Sequence, residues 1–469
     1  CGTATLNTCK RRSDKPENLL TQYIQHRLAP VSAAEHAAYE IVHRLQADGY
    51  QACTVGGCVR DRFLGGIPED VDVTTDATPD VLQRIFPNTY SVGAAFGVVI
   101  VRDGDLHTEV ATFREDGGYQ DGRHPDSVTF SDAEHDAQRR DFTINALFYD
   151  PQAEQVIDFV DGFRDLDAGV IRTVGDADRR FGEDYLRMLR AVRFTARFDF
   201  ELDSETRAAI IKHAPKITGI SPERIFNELT KMLCGPQPQH AFRLLDETGL
   251  LKQVLPEISA MKGVAQPPQF HPEGDVFVHT MLLLEMMVHP TPEIAWSALL
   301  HDVGKPPTFK IGPHGRETFP NHNRVGAEMT ETLLQRLHCS RQFIDCVREA
   351  VYNHMTFAEV QKMRPSTLRR FLGRPDFNCD LELHRLDCLS CHRYMDNYVF
   401  LLDRLAALRD EPPVPKPLAQ GHDLIERGIE PGPVIGKILR ELEELQLNGE
   451  IITREAALEW LDRRVTPHV

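Results

Sequence analysis

Aspartate and valine alternate through Asp70-Val71-Asp72-Val73. Alternation with period two is strand patterning, and it sets Asp70 and Asp72 on one face. A short apolar approach, Cys53-Thr54-Val55, comes before it and ends at Gly56-Gly57. Residues 98–101 and 108–112 read as two more strands, paired across a turn at 102–105. In the second of these, Glu109 alternates with Val110. Glu109 is therefore either a third carboxylate beside the aspartates or a solvent-exposed residue. Elsewhere the spacing becomes helical. One helix is expected over residues 32–46, ended by Gly49. Another starts with Thr78 as N-cap and Pro79 in first position, and its buried stripe is Val81, Leu82, Ile85 and Phe86. Residues 1–30 read as a polar leader. The polar, glycine-rich residues 115–138 read as a mobile loop over the strands.

From Phe181 onward the pattern is helical and strand-poor. In a helix over 183–198, Leu186, Leu189, Val192 and Ala196 form the apolar stripe. Asp184, Arg187, Arg190 and Arg193 recur every third residue as a slowly winding polar row. Ser221-Pro222-Glu223 starts a further helix. The whole pattern predicts an α+β protein: a mixed or antiparallel sheet with helices, then helices to the end.

Length and charge narrow this picture. A chain of 469 residues has room for several domains and an ample core. No apolar run approaches a membrane span, so no membrane partner is expected. The net charge of −17 argues against a non-specific nucleic-acid coat. It leaves room for a local basic face: residues 179–197 hold six arginines against Glu183 and Asp184, a local +4. Ten scattered cysteines without an evident bridge framework point to a reduced, cytoplasmic protein.

Two groups of residues carry chemistry. Asp70 and Asp72 repel one another unless hard divalent cations relieve the cost, and paired cations suit in-line displacement at phosphorus. Gly56 and Gly57 let a backbone approach a phosphate, and Arg60 adds a charge for a triphosphate. Arg140 and Asp141, in RRDFTINAL, suit phosphates and ribose hydroxyls, or are surface charge. Asp184 and Arg187 offer an acceptor and a donor fork to a base edge, or are a solvated helix face. The second group is His279, the pair His301-Asp302, His322 and His354, which suit a divalent metal, with Asp387 able to complete the set. Cys388-x-x-Cys391-His392 has the letters of haem attachment in a helical context; with His384 it has the residues of a zinc site.

Taken together, GGCVRD with EDVDVTTD, RRDFTINAL, EDYLRMLRAVRF, SPERIFNELTKML and GHDLIERGIEPGPVIGKIL resemble the bacterial CCA tRNA nucleotidyltransferase/poly(A) polymerase family, class II, in its form with an inserted HD domain. The resemblance runs from about residue 30 to the C-terminus. It implies a nucleotidyltransferase palm over 31–172, a neck and body over 173–266, an HD domain over 270–405 and a helical tail over 412–469. It implies Mg²⁺ at Asp70 and Asp72; Glu109, on the strand-alternation reading above, is the candidate further catalytic carboxylate. Gly56, Gly57, Arg60, Arg140, Asp141, Asp184, Arg187, Arg190 and Arg193 are the implied nucleotide contacts, with Asp184 and Arg187 reading the base. The implied partners are tRNA, CTP and ATP. The implied reaction is template-independent transfer of CMP and AMP to the tRNA 3′ end; poly(A), CC-only and A-only addition are the alternatives. For the HD domain the resemblance implies a second divalent ion, Mn²⁺, Ni²⁺ or Mg²⁺, and phosphohydrolase chemistry. Tyr185 and Gln138 depart from the family pattern without removing a ligand. Asp387 is placed by position in a helix alone.

Overall fold

The computed structural model describes residues 21–91, 97–117, 127–269, 271, 274–408 and 412–465. The chain forms two compact units, residues 1–256 and 257–469.

Unit 1 is built on an eight-stranded sheet. Its strands are β1 (Gln22–Gln25), β2 (Ala52–Val55), β3 (Asp72–Thr75), β4 (Thr89–Ser91), β5 (Val98–Asp103), β6 (Leu106–Thr112) and, after the small hairpin β7 (Arg114–Asp116) and β8 (Val128–Phe130), β9 (Leu147–Asp150) and β10 (Gln155–Asp158). The spatial order is β1-β10-β9-β2-β3-β6-β5-β4. Only β3 and β6 run parallel, so the sheet is mixed, as expected. Gly104 takes a left-handed φ of +59° in the tight β5–β6 turn. Helices α1 (Ala33–Ala47), α2 (Gly57–Phe63), α3 (Pro79–Ile85), α4 (Ala133–Gln138) and α5 (Gly162–Ala168) accompany the sheet. Cys53, Val55, Phe113, Ala137, Ala146, Phe148, Val160 and Val174 pack into one buried core.

Three expectations need correction here. Residues 1–20 of the leader lie outside the described residues, but Gln22–Gln25 is an edge strand registered on β10, with Ile24 buried. Residues 115–138 are not simply a loop. Their described parts form most of the β7–β8 hairpin and helix α4, where the Asp132 side chain accepts from the His135 N–H at 3.0 Å. Residues 118–126 lie outside the described ones. The helix expected over 183–198 is two helices, α6 (Ala177–Glu183) and α7 (Leu186–Phe198). Asp184 sits between them in extended backbone, φ −150° and ψ 106°. The remainder of the unit is helical and includes α8 (Ser204–His213) and α9 (Pro222–Leu233), the latter with its proline in the first turn as expected.

Unit 2 is helical apart from one two-stranded hairpin among its described residues, Lys310–Ile311 with Glu317–Thr318. The helices Val276–Glu285, Pro292–Leu300, His322–Arg336, Arg341–Asn353 and Phe377–Ser390 come first. Pro433–Leu447 and Arg454–Val465 follow, around a core of Ala419, Leu424, Ile438, Leu442, Ile451, Ala457 and Leu461. A Cβ added to Gly304 would lie 2.1 Å from the His322 carbonyl oxygen and 2.6 Å from the Gly326 nitrogen. This backbone contact presses the start of the His322 helix against the turn after Asp302.

Candidate active site

Register places the carboxylates in unit 1. Parallel pairing sets Val73 opposite Val110, and one step back along both strands Asp72 stands beside Glu109. Asp70 lies two residues ahead of β3, outside the ladder where the sequence pattern had extended the strand. All three side chains are exposed. The Asp72 carboxyl is nonetheless pushed up to about 6. The protein around it displaces water, Glu109 adds like charge, Arg140 pulls the other way, and Asp70 adds a smaller push. Crowded carboxylates on one rim are an oxygen-donor set for hard divalent cations.

The glycine pair shapes the neighbouring wall. Gly56 ends β2 with φ +85°, and a Cβ there would meet the Arg140 guanidinium at 3.2 Å. Its N–H donates to the Leu147 carbonyl at 3.0 Å, so the Gly56 amide is held by the sheet rather than offered to a phosphate. Arg140 and Arg139 both donate to the buried Asp136 one turn back in α4, at 2.9 and 2.7 Å.

Several arginines read as nucleotide contacts are turned inward. Arg60 is buried, pairs with Asp61 at 2.7 Å, hydrogen-bonds Asn145, and lies 4.7 Å from the Phe198 ring centroid. Arg190 donates to Asp141 at 2.8 Å, and Asn145 Nδ2 donates to the same carboxylate at 3.1 Å. Burial would raise the Asp141 carboxyl, but Arg190 and the Asn145 hydrogen bond hold it well below its usual range. Arg193 donates to the buried Glu228 of α9 at 2.6 Å and lies over Phe194 at 4.3 Å. Arg60, Asp141, Arg190 and Arg193 thus tie α7 to the sheet and to α9. The sequence reading missed these pairings, because only tertiary packing brings Asn145 to Arg60, Asp141 to Arg190 and Glu228 to Arg193.

Asp184 and Arg187 stand at the α6–α7 junction. Arg224 donates to Asp184 at 2.6 Å, and the Leu186 N–H donates to Asp184 at 3.0 Å. Arg187 donates to Glu183 at 2.6 Å and to the Arg180 carbonyl at 2.9 Å. Both have partners of opposite charge, Arg224 and Glu183.

In unit 2 the structure brings the second constellation together. His279 Nε2 lies 3.1 Å from Asp387 and 3.3 Å from His301 Nε2; His301 Nε2 lies 3.1 Å from Asp302. His322 and His354 approach Asp302 at 3.7 and 3.9 Å. Among the described residues, the two trios of ligating groups with donor atoms all within 4.8 Å are His279–His301–Asp302 and Asp302–His322–His354. The Asp70, Asp72 and Glu109 carboxylates are not drawn that close. Burial lowers the His354 imidazole to about 3 and lowers that of His322 too, keeping both neutral, the state that ligates metal. Burial acts to raise Asp302, but His301 and Lys305 hold it well below its usual range. The Cys388-x-x-Cys391-His392 stretch forms no such trio: His384 stacks on Phe357 at 4.4 Å, with the Cys388 sulfur 3.7 Å away.

A mixed sheet with a carboxylate rim, followed by helices that carry an arginine-rich junction, defines a nucleotidyltransferase of the polymerase-head class. Residues 52–172 match the "Poly A polymerase head domain". Residues 199–262 match the "Probable RNA and SrmB- binding site of polymerase A", and residues 324–461 match tRNA nucleotidyltransferase domain 2. The chain belongs to the CCA-adding enzyme family. It is 34% identical over 426 residues to the CCA-adding enzyme of Lactobacillus gasseri, covering 90% of this chain and 95% of that one. The crystal structure of the Bacillus stearothermophilus CCA-adding enzyme in complex with CTP superposes with a TM-score of 0.73 at 28% identity, over 92% of this chain and 98% of that one. The Thermotoga maritima CCA-adding enzyme complexed with tRNA shares the fold, with a TM-score of 0.57 at 20% identity, over 93% and 97% of the two chains. Among the described residues no helix is long and apolar enough to cross a membrane.

Proposed function

We propose that unit 1 transfers CMP and then AMP from CTP and ATP to the 3′ end of tRNA. The observation that supports this most is the rim where register puts Asp72 beside Glu109, with Asp70 adding its charge. Divalent ions, Mg²⁺ by the hardness of the oxygen donors, supply positive charge at the α-phosphate and ease loss of the hydroxyl proton when bound there. Asp70 and Asp72, with Glu109, would hold them. The primer's terminal 3′-hydroxyl gives its proton to solvent water, its oxygen forms a bond to the α-phosphorus, and the bond to pyrophosphate breaks. The positive charge of Arg140, which acts to lower the Asp72 carboxyl, offers a cation to the phosphates. Asp184 and Arg187 exchange Arg224 and Glu183 for the Watson–Crick edge of cytosine or adenine. G and U are rejected because their edges leave these groups unpaired. Asp141 and Arg190 act as positioning residues behind that junction.

For unit 2 the same reasoning assigns a divalent ion to His279, His301, Asp302 and Asp387, with phosphoester hydrolysis as its chemistry. Imidazole donors favour Mn²⁺ or Ni²⁺ there over Mg²⁺.

A tRNA transcript lacking its last three nucleotides tests the main reading. With Mg²⁺, CTP and ATP it is expected to grow by CCA and stop. A long ladder with ATP alone would move the assignment to poly(A) polymerase, and growth by CC only, or by A only on a CC end, to half of a split pathway. Arg187→Ala is expected to raise misincorporation of UTP and GTP by about 10²-fold, the scale of a lost base-edge contact, while tRNA binding changes little. Unchanged discrimination in a competition assay would remove Arg187 from base reading.

A further inference from the structure

We propose that unit 1 carries a second anion site, a cavity beside α4 that takes a polyphosphate, and that its occupancy weakens the hold on nucleotide at the active site. The effect on nucleotide rests on the reading of Arg140 and Arg187 given above; the binding does not.

The cavity measures about 650 Å³ and is lined by residues of α4, α5 and α6. That is the size of a ligand site. Its lining includes none of Asp70, Asp72, Glu109, Arg140, Asp184 and Arg187, so it is a different place from the carboxylate rim and the α6–α7 junction. No Phe, Tyr or Trp lines it, so a base finds no broad stacking face there.

Arg139, Arg164, Arg172, Arg179 and Arg180 line the cavity. Carboxylates share the wall, but most of them already have donors. Asp161 accepts from Gln22 Nε2 at 2.8 Å, Asp165 from the Thr143 hydroxyl at 2.7 Å, Asp176 from the Arg179 N–H at 2.7 Å and Glu183 from Arg180 at 2.8 Å. The remaining one, Glu115, is exposed. Among the arginines, donors are left over. The Arg164 guanidinium makes no ion pair or hydrogen bond among the described residues. The Arg179 side chain is 81% exposed and reaches Glu183 only at 3.6 Å. Arg172 gives Nε to Asp165 and Nη1 to Asp203, which leaves Nη2. Several guanidinium forks with spare N–H groups around one cavity suit the many oxygens of a polyphosphate.

Two carboxylates join this cavity to the active site. Asp136 is fully buried; its Oδ1 takes Arg139 of the cavity at 2.7 Å and its Oδ2 takes Arg140 of the rim at 2.9 Å. Burial would raise its carboxyl, but Arg140 and Arg139 hold it below its usual range. Glu183 Oε2 takes Arg180 of the cavity at 2.8 Å and Arg187 of the junction at 2.6 Å, while Oε1 faces Arg179. An anion that draws Arg139 and Arg179 to itself leaves Asp136 and Glu183 with fewer cations. Arg140 and Arg187 are then held harder by those carboxylates and yield less readily to a triphosphate and a base edge. The coupling is reciprocal: nucleotide loosens the anion by the factor that the anion loosens nucleotide. Pyrophosphate, the product of nucleotide addition, has the chemistry this cavity selects.

Equilibrium dialysis of labelled pyrophosphate against the full chain in EDTA tests the binding. Without a divalent ion the carboxylate rim repels pyrophosphate, so bound label reports the cavity. A single site per chain is expected. The exposed pair Arg164→Ala/Arg179→Ala is expected to weaken it by about 10-fold or more, the scale of one lost charge-assisted hydrogen bond. No binding, or equal binding by the double variant, would overturn the site. Displacement of the label by tripolyphosphate and not by ATP identifies a free polyphosphate as the ligand; equal displacement by both identifies the triphosphate tail of a nucleotide. The coupling is read in CTP addition with Mg²⁺, where pyrophosphate also competes directly at the active site. At one pyrophosphate concentration the rise in KM for CTP is expected to be about five-fold larger in the native chain than in the double variant, with equal activities when pyrophosphate is left out. Equal rises would overturn the coupling and keep the site.

Discussion

Asp72→Asn is expected to slow nucleotide addition by about 10³-fold or more, with no loss of thermal stability at pH 7. The rate falls because the substitution removes a charge aimed at the reacting phosphate, the kind of contribution worth orders of magnitude in a preorganised site. Stability holds because the native carboxylate is disfavoured where it stands. Its carboxyl is pushed up to about 6 from an ordinary value near 3.8, so between these values the folded chain binds more protons than the unfolded one. The stability from Asp72 is therefore present at low pH and lost as pH rises from about 4 to about 6. Asparagine removes that decline. Melting curves from pH 4 to 7 check this: the native protein should lose more stability over that range than the variant. A variant that retains most of its activity would remove Asp72 from the catalytic set.

Arg193→Met is expected to cost about 3–5 kcal/mol in urea unfolding, the range for breaking one side of a buried ion pair. Arg193 donates to Glu228 at 2.6 Å, and both side chains are at least nine-tenths buried. The single substitution leaves Glu228 charged in the interface between α7 and α9. Lys231 lies 3.7 Å from Glu228 but is exposed and offsets only part of this. The double variant Arg193→Met/Glu228→Leu is expected to recover most of the loss, since nothing charged is then buried. Helix α9 also carries Arg224, one turn before Glu228, which pairs with Asp184. The single variant should therefore also loosen nucleotide choice. A double variant as unstable as the single would show that packing over Phe194, rather than charge, dominates at this site.

These two cases show where sequence reasoning succeeds and where it stops. Alternation at Asp70–Val73 located the carboxylates but started the strand early. Only Asp72 enters the ladder, because pairing with Val55 begins there. The triplet spacing of Asp184, Arg187, Arg190 and Arg193 fitted one helix, and a period cannot reveal a break that keeps its phase. The break has a local cause in the Asp184 side chain, which accepts from the Leu186 N–H and starts α7 afresh. A charge row also carries no sign of which way each side chain faces. Arg190 and Arg193 find their carboxylates 49 and 35 residues away, at distances that only the tertiary fold closes. Strands β1, β7 and β8 were missed because they are only three or four residues long, too short for an alternating pattern to stand out. In unit 2 the ligand types were legible, and the structure adds that Asp387 stands 3.1 Å from His279.

The central claim is that one bound nucleotide meets the carboxylate rim at its α-phosphate and the Asp184–Arg187 junction at its base. Crystals soaked with CTP and Mn²⁺, measured at the manganese absorption edge, test it most directly. The account predicts manganese peaks bounded by the Asp70 and Asp72 carboxylates, with the α-phosphate against them and the cytosine edge on Asp184 and Arg187. A cytosine bound away from residues 184–187, or manganese in unit 2 but none at Asp70 and Asp72, would contradict it.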